Sequence, residues 1–417
     1  METKYLLAMI SDPDLSADAR LEALESLEKP QLSETCSFVN NHIHTSYSFS
    51  PYTPASAVYY AAKEGLSTAG IMDHDSVSGC MEFVRAGEII GMPVTVGFEC
   101  RTSVKGTPLE GLKLNNPDQN SVAYVTLHGI PHGMLSKCDE LLSSLREKRN
   151  IRNRKMCRKI NDICGTDIDF DRDVIPLSSF SGGGSVTERH VLFALAKKLI
   201  CEDRSASIKR VEELTVPVSD KVCEKLMSAS ESFFEYDVLG ILKSHLVEKI
   251  YIDAEEELMH ITDFTKFARE VGGICAYAYL GDVTESPTGD KKAQKFEDDY
   301  LDLLFENLRN FGFNAVTYMP SRNTKAQLDR IISLCNEHGF FQISGEDINS
   351  PRQSFTCPAM ADYPALFDST YALIGHEIAA TADVSDGMFT EKTINKMPTL
   401  EERTAYFAEI GRKAGKI

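Results

Sequence analysis

His42 and His44 stand two residues apart at the end of an apolar run. An H-x-H pair on a strand aims both imidazoles to one side, where a single ion can take both. Four more segments that read as buried strands end in residues of the same kind. Thr68–Met72 runs into Asp73 and His74, Pro93–Phe98 ends at Glu99, Ser121–Leu127 at His128, and Phe340–Glu346 at Asp347. In a barrel of parallel strands all the C-terminal strand ends meet on one face. Residues hundreds of positions apart would converge there, and imidazoles with carboxylates suit zinc, manganese or iron. No Ser-His-Asp arrangement competes, since no serine sits in a G-x-S-x-G elbow.

The elements that must position these residues follow a regular order. The first 35 residues read as a helical arm, with Ser16 capping a helix over Ala17–Leu27 and Pro30 beyond its end. From Ser37, strand and helix alternate. Thr53-Pro54 is a helix start, with a hydroxyl to cap and proline at the first helical position, and Gly65 suits its end. A helix from about Val77 to Ile90 precedes the strand Pro93–Phe98, giving βαβαβ order and a parallel sheet. The rhythm stops between about Ser136 and Lys249, where only helices show, around Asp139–Ile163, Thr187–Leu199 and Asp220–Phe234, with a flexible Ser178–Ser185 loop. It resumes with helix Asp253–Val271, strand Gly273–Tyr279, helix Lys292–Asn310, strand Ala315–Met319, helix Thr324–His338 and strand Phe340–Ser344. The expected fold is α/β, a seven-stranded barrel over 36–135 and 250–417 with a helical insertion over 136–249 and a terminal helix Thr399–Ala414.

Composition narrows the function. With 417 residues, 42% hydrophobic and 25% charged, the chain can bury a sizeable core. A formal charge of −18 argues against a nucleic-acid partner, because phosphate backbones need basic surface. The eleven cysteines show no C-x-x-C pair and read as reduced residues of a cytoplasmic protein. Tyr5–Ile10 is too short for a signal core or a membrane span.

His42-Ile-His44-Thr45, Gly70-Ile-Met-Asp-His-Asp75, Gly97-Phe-Glu99 and Ser344-Gly-Glu-Asp347 resemble, in order and strand-end placement, the motifs of the PHP superfamily of metal-dependent phosphoesterases. The resemblance spans roughly Ser37–His132 and Gly272–Arg352, and the stretch Arg146–Leu199 is similar to the helical insertion of its nucleoside-monophosphate and cyclic-phosphate branch. It implies a distorted seven-stranded TIM-like barrel that hydrolyses a small phosphorylated metabolite or nucleotide with metal-activated water. It implies one to two divalent ions (Mn, Fe or Zn). His42, His44, Glu99 and Asp347 would hold the first, Glu99 and His128 the second, and His74 a third position. Glu99, His128 and Asp347 would be the catalytic residues. His132 competes with His128, which is preferred because it closes an apolar strand. Three positions depart from the pattern: Phe49 and Tyr277 stand where ligands are expected, and Asn349 replaces the histidine of an Asp-x-His motif. That leaves open a barrel that binds one metal and an anion without turnover, and a third option, hydrolysis of an amide or a carboxylic ester.

Substrate contacts are expected from the insertion and the barrel mouth. Lys148, Arg152, Lys155 and Lys159 share one helix face, which is either solvated or aimed at an anion. Arg154, Arg189 and His190 are candidates in the same region, as are Arg352 and Arg322 after the last two strands. Gly182–Gly184 lacks the P-loop lysine and reads as a linker. His245, His260, His338 and His376 fall in helical stretches and read as structural.

Overall fold

The computed structural model describes residues 2–32, 38–283 and 294–414. The arm is two helices, α1 (Glu2–Ile10) and α2 (Ala17–Ser26), and the Ser16 hydroxyl accepts the Ala19 N–H at the start of the second. Then come β1 (Phe38–Ile43), α3 (Pro54–Lys63), β2 (Leu66–His74), α4 (Cys80–Ile90), β3 (Val94–Ser103) and β4 (Val122–His128). Helices α5 (Leu135–Cys164), α6 (Glu188–Leu199), α7 (Arg204–Leu214), α8 (Asp220–Ser228) and α9 (Glu231–Ile250) form the insertion. A two-residue strand β5 (Met259–His260) leads to α10 (Ile261–Val271), β6 (Ile274–Ala278), α11 (Leu301–Phe311), β7 (Ala315–Tyr318), α12 (Lys325–His338) and β8 (Phe341–Ser344). The chain ends in α13 (Ala365–Ala382), α14 (Glu391–Lys396) and α15 (Leu400–Ala414).

Seven strands in the order β1-β2-β3-β4-β6-β7-β8 make a nearly closed barrel-shaped sheet, with β5 paired to β3. The seam is backbone. His44 N–H donates to Ile348 O at 3.1 Å and Ile348 N–H to His42 O at 3.3 Å, so Ile43 bridges Ile348 in parallel. The all-parallel expectation fails at one strand: β4 runs antiparallel to both β3 and β6. The physical reason lies in the 104–121 connection, which holds no helix, whereas a parallel neighbour needs a crossover.

The floor of the barrel is closed by α13. Asn41 donates its amide to Ser344 O at 2.8 Å and to Thr370 Oγ1 at 2.9 Å, and Glu377 accepts the Val96 N–H at 2.8 Å. The terminal helix α15 lies against α13 at a crossing that only glycine permits: a Cβ at Gly375 or Gly411 would overlap a carbonyl of the other helix. The insertion wraps its own apolar cluster, including Val191, Leu195, Val238 and Leu242.

Several helices differ from their expected bounds. Asp220–Phe234 is two helices because Ala229 and Ser230 are extended and break the turn between them. The helix expected from Asp253 begins at Ile261, since Glu257 turns inward to buried Arg101 and Arg152. The one expected from Lys292 begins at Leu301, and Lys292 lies outside the described residues. No helix among the described residues is long and apolar enough to cross a membrane, and their cysteines are unpaired.

Candidate metal centre

Lateral partners in a ladder share a face of the sheet. Glu99 pairs with His74 on β2 and Thr126 on β4, and Thr126 pairs with Ala276 on β6, so these four share the inner wall. His42 and His44 reach the same space from β1, whose H-x-H spacing keeps both rings inward. The seam at Ile43 and Ile348 brings Asp347 beside them.

The resulting cluster is tight. Ligand atoms of His42, His44 and Glu99 all lie within 4.8 Å of one another. Glu99 Oε2 is 3.0 Å from His74 Nδ1 and 3.8 Å from His42 Nε2, and Asp347 Oδ1 is 3.1 Å from His44 Nε2. His44 stacks on His74 with ring centroids 4.7 Å apart. His44 Nε2, His74 Nδ1 and His128 Nε2 are buried with no aligned hydrogen-bond partner among the described residues. Each such group costs about 1–3 kcal/mol if nothing satisfies it. Three unsatisfied imidazole nitrogens around two carboxylates fit a divalent cation.

Electrostatics agree with that reading. Burial opposes ionisation of Glu99, but His74 and His42 outweigh it and hold the carboxyl well below its usual range. Asp347 behaves alike, with burial overcome by His44, His42 and Arg189. Burial lowers the His44 imidazole despite Asp347, whereas Glu99 raises His42 against the same penalty. His128 is pushed down to about 3 by burial and by neighbouring His42.

Behind the cluster, Asp73 points to the other face of β2 and organises the loop after β1. Its carboxylate accepts the Thr45 N–H, the Thr45 hydroxyl and the Ser48 hydroxyl, each at 2.6 Å, and Ser48 Oγ lies 3.2 Å from His44 Nδ1. That chain sets the orientation of the His44 ring. Sequence reading grouped Asp73 with His74 at a strand end; the alternation of faces along β2 was the signal that separates them.

The structure sorts the remaining candidates. His128 sits at the end of the reversed strand, opposite Gly97 and one inward position deeper than Glu99. His132 is 3.0 Å from Glu377 of α13, away from the cluster. Tyr277 pairs with Val125 on the outer face and is fully buried there, its hydroxyl near Asn115 N and Glu297, so the expected ligand position is corrected: the inner wall of β6 offers Ile274, Ala276 and Ala278, none of which can hold a metal. Phe49 packs edge-on against His190 and Phe193 and ties α6 to the first loop. Asn349 donates to Asp347 Oδ1 at 2.5 Å, steadying that carboxylate.

Among the expected substrate contacts, Arg154 is corrected: it lies exposed, paired with Asp171 and stacked over Phe170. Arg352 is engaged by Asp237 of α9 at 2.5 Å and stacks on Phe233. The basic face of α5 divides. Lys148, Lys155 and Lys159 are exposed, while Arg152 is buried on Glu257. His190 caps its own helix, its Nδ1 accepting the Thr187 N–H at 3.0 Å. Arg189 lines the cleft beside His44 and His74 and has no carboxylate within ion-pair distance among the described residues; the same holds for half-buried Arg322, which senses Asp347. The Ser178–Ser185 loop is pinned rather than loose, with Gly183 O accepting from Ser76 at 2.8 Å and Ser185 N–H donating to Tyr47 O at 2.7 Å. His245, His260, His338 and His376 all lie apart from the cluster.

Sequence reading missed the buried arginines that dock the insertion. Arg149 donates to Asp75 at 2.5 Å, and Arg146 to Asp75 O at 3.0 Å. Asp75 takes a left-handed φ of +50°, uncommon for a side-chain-bearing residue, at the end of β2. Arg101, two residues beyond Glu99 on the same face, shares Glu257 with Arg152. Asp75 and Glu257 lie 71 to 156 positions in sequence from the arginines they bind, so no local pattern announces them.

No protein-family model and no curated protein matches the chain. Among the solved structures that share the fold are two hydrolase-like proteins. A Bifidobacterium adolescentis protein assigned as a metal-dependent phosphoesterase matches with a TM-score of 0.52 at 17% identity, covering 80% of this chain and 98% of its own. An amidohydrolase from Chromobacterium violaceum, solved with sulfate and no metal, gives 0.50 at 15% identity, covering 79% and 97%.

Proposed function

We propose that this chain is a cytoplasmic metal-dependent hydrolase of the PHP type that cleaves a phosphate ester of a small metabolite or nucleotide. The observation that carries the reading is the meeting of His42, His44 and Glu99 within 4.8 Å, with Asp347 against His44. These residues would hold a divalent ion, which would supply an acidified water and offset charge on phosphoryl oxygens. His42, His44, Glu99 and Asp347 are its proposed ligands, with His74 and His128 flanking. Arg189, which lines the cleft, and Arg322 have no ion-paired carboxylate among the described residues, both interact electrostatically with Asp347, and they are the proposed receivers of the phosphoryl group. Asn349 and the Asp73–Ser48 chain fix Asp347 and His44 before substrate arrives. The cleft lies between barrel residues and the start of α6 and is narrow, about 10 Å³.

The test is metal content together with phosphate release from a panel of monophosphates, with and without added manganese. Bound manganese and turnover, both lost in His42→Ala and Asp347→Ala, support the reading; turnover kept in both variants ends it. One specific observation favours a second reading. Alanine on the inner wall of β6 and Phe49 after β1 remove ligands from a second ion, which leaves a one-ion site that binds an anion without efficient turnover. Stoichiometric metal with no phosphate release from any monophosphate would select it.

A further inference from the structure

Glu188 opens α6 beside Arg189 and has no part in the chemistry above. It lines the same cleft as His44, His74 and Asn349, with its side chain 13% exposed. Arg149 reaches one of its oxygens at a long 3.4 Å. Burial would raise its carboxyl, but Arg149, Lys243 and Arg101 outweigh that, so it stays ionised. An ionised carboxylate facing the cleft repels a second anion and accepts hydrogen bonds from donors. It also rides on the insertion, whereas the proposed ligands are borne by the barrel, so it can meet a part of the substrate that they do not hold.

Building on the phosphoesterase reading and deepening it, we infer that Glu188 is the specificity residue for the alcohol part of the substrate, accepting a hydrogen bond from a hydroxyl or amino group and excluding a leaving group with a second negative charge. The preferred substrate is thus a phosphomonoester of a polyol, sugar or amino alcohol. Calorimetric titration of the manganese-loaded protein with butylphosphonate and with its vicinal-diol counterpart reads this without turnover, because the P–C bond survives. The diol is expected to bind about 10- to 100-fold tighter, the worth of a hydrogen bond to a charged acceptor. In Glu188→Gln the preference falls to about fivefold or less, the level of a neutral hydrogen bond, and a three-carbon bisphosphonate binds tighter than to the unaltered protein. Equal binding of diol and alkyl probes, or a preference that survives Glu188→Gln, overturns the assignment. So does an equal loss of affinity for both probes, the signature of a residue that only anchors Arg149. Should the glutamine variant not fold, Glu188→Asp keeps the charge on Arg149, withdraws it from the cleft and carries the same comparison. Failure of the phosphoesterase reading shows separately, as absent phosphate release while the diol preference stands.

Discussion

His44 is aimed by a residue that touches no proposed ligand position. Asp73 gathers the Thr45 amide, the Thr45 hydroxyl and the Ser48 hydroxyl, and Ser48 meets the far nitrogen of the ring. Groups one layer behind a ligand typically contribute 10–100-fold in metal affinity. Asp73→Asn is therefore expected to weaken manganese binding by about that factor, read by calorimetry, with Asp347→Asn weakening it at least as much. Unchanged affinity in Asp73→Asn would mean that the His44 ring is fixed by packing alone. At this scale the sequence is legible where an inward-facing side chain follows a plain alternation, as for the clustered His42, His44 and Glu99, whereas β3 runs on past Glu99 to Ser103 and Asp347 lies three residues beyond the end of β8. Tyr277 shows the limit. Ala276-Tyr-Ala-Tyr279 alternates cleanly, but which half of the alternation faces inward depends on its register with β4, and that register is set by pairing across 152 positions between Val125 and Tyr277.

Among the elements, α5 carries the most consequence for the site. Its helix is plain from the sequence, and its lysines and arginines suggest a solvated or anion-facing stripe. The structure instead buries Arg146, Arg149 and Arg152 at three-residue spacing against the end of β2, the start of α6 and the segment before β5. Burial of charge is tolerable only where partners exist, and these partners are assembled by the barrel, so the stripe cannot be read before the fold is known. The same holds for the direction of β4, because a long connection without a helix pattern leaves both senses open. The two attachments of the insertion should differ in energy. Arg149→Ala strips Asp75 and Glu188 of a buried counter-charge and is expected to cost about 3–5 kcal/mol. Arg352→Ala breaks a half-exposed pair with Asp237 and is expected to cost no more than about 1 kcal/mol. Urea unfolding of both variants checks the order; equal costs would show that the insertion is held by its apolar contacts instead.

For the molecule as a whole, acid should loosen the structure at two junctions built on buried neutral imidazoles. His190 lies where the insertion meets the first loop, and His376 lies in α13 beneath the barrel floor, its Nδ1 accepting the Met388 N–H at 2.9 Å. Burial pushes the first down to about 3 and the second to about 4, from an ordinary value of 6.5. In the unfolded chain both imidazoles titrate near that ordinary value, so between there and the folded values the unfolded chain binds the extra protons. Their stabilisation is thus complete above pH 6.5 and drains away as pH falls toward about 4. Each group loses about 1.4 kcal/mol per pH unit in that window. His132, raised by Glu377, acts in the opposite sense and offsets part of the loss. Denaturant midpoints measured from neutral pH down through this window should fall steadily, and His376→Gln, which removes one of the titrating imidazoles, should flatten the slope by that one group's share, about 1.4 kcal/mol per pH unit, even though the variant starts less stable. A midpoint that does not move over the window would mean that both rings are already open to solvent, and with them the contacts of the insertion with the first loop and of α13 with the barrel floor.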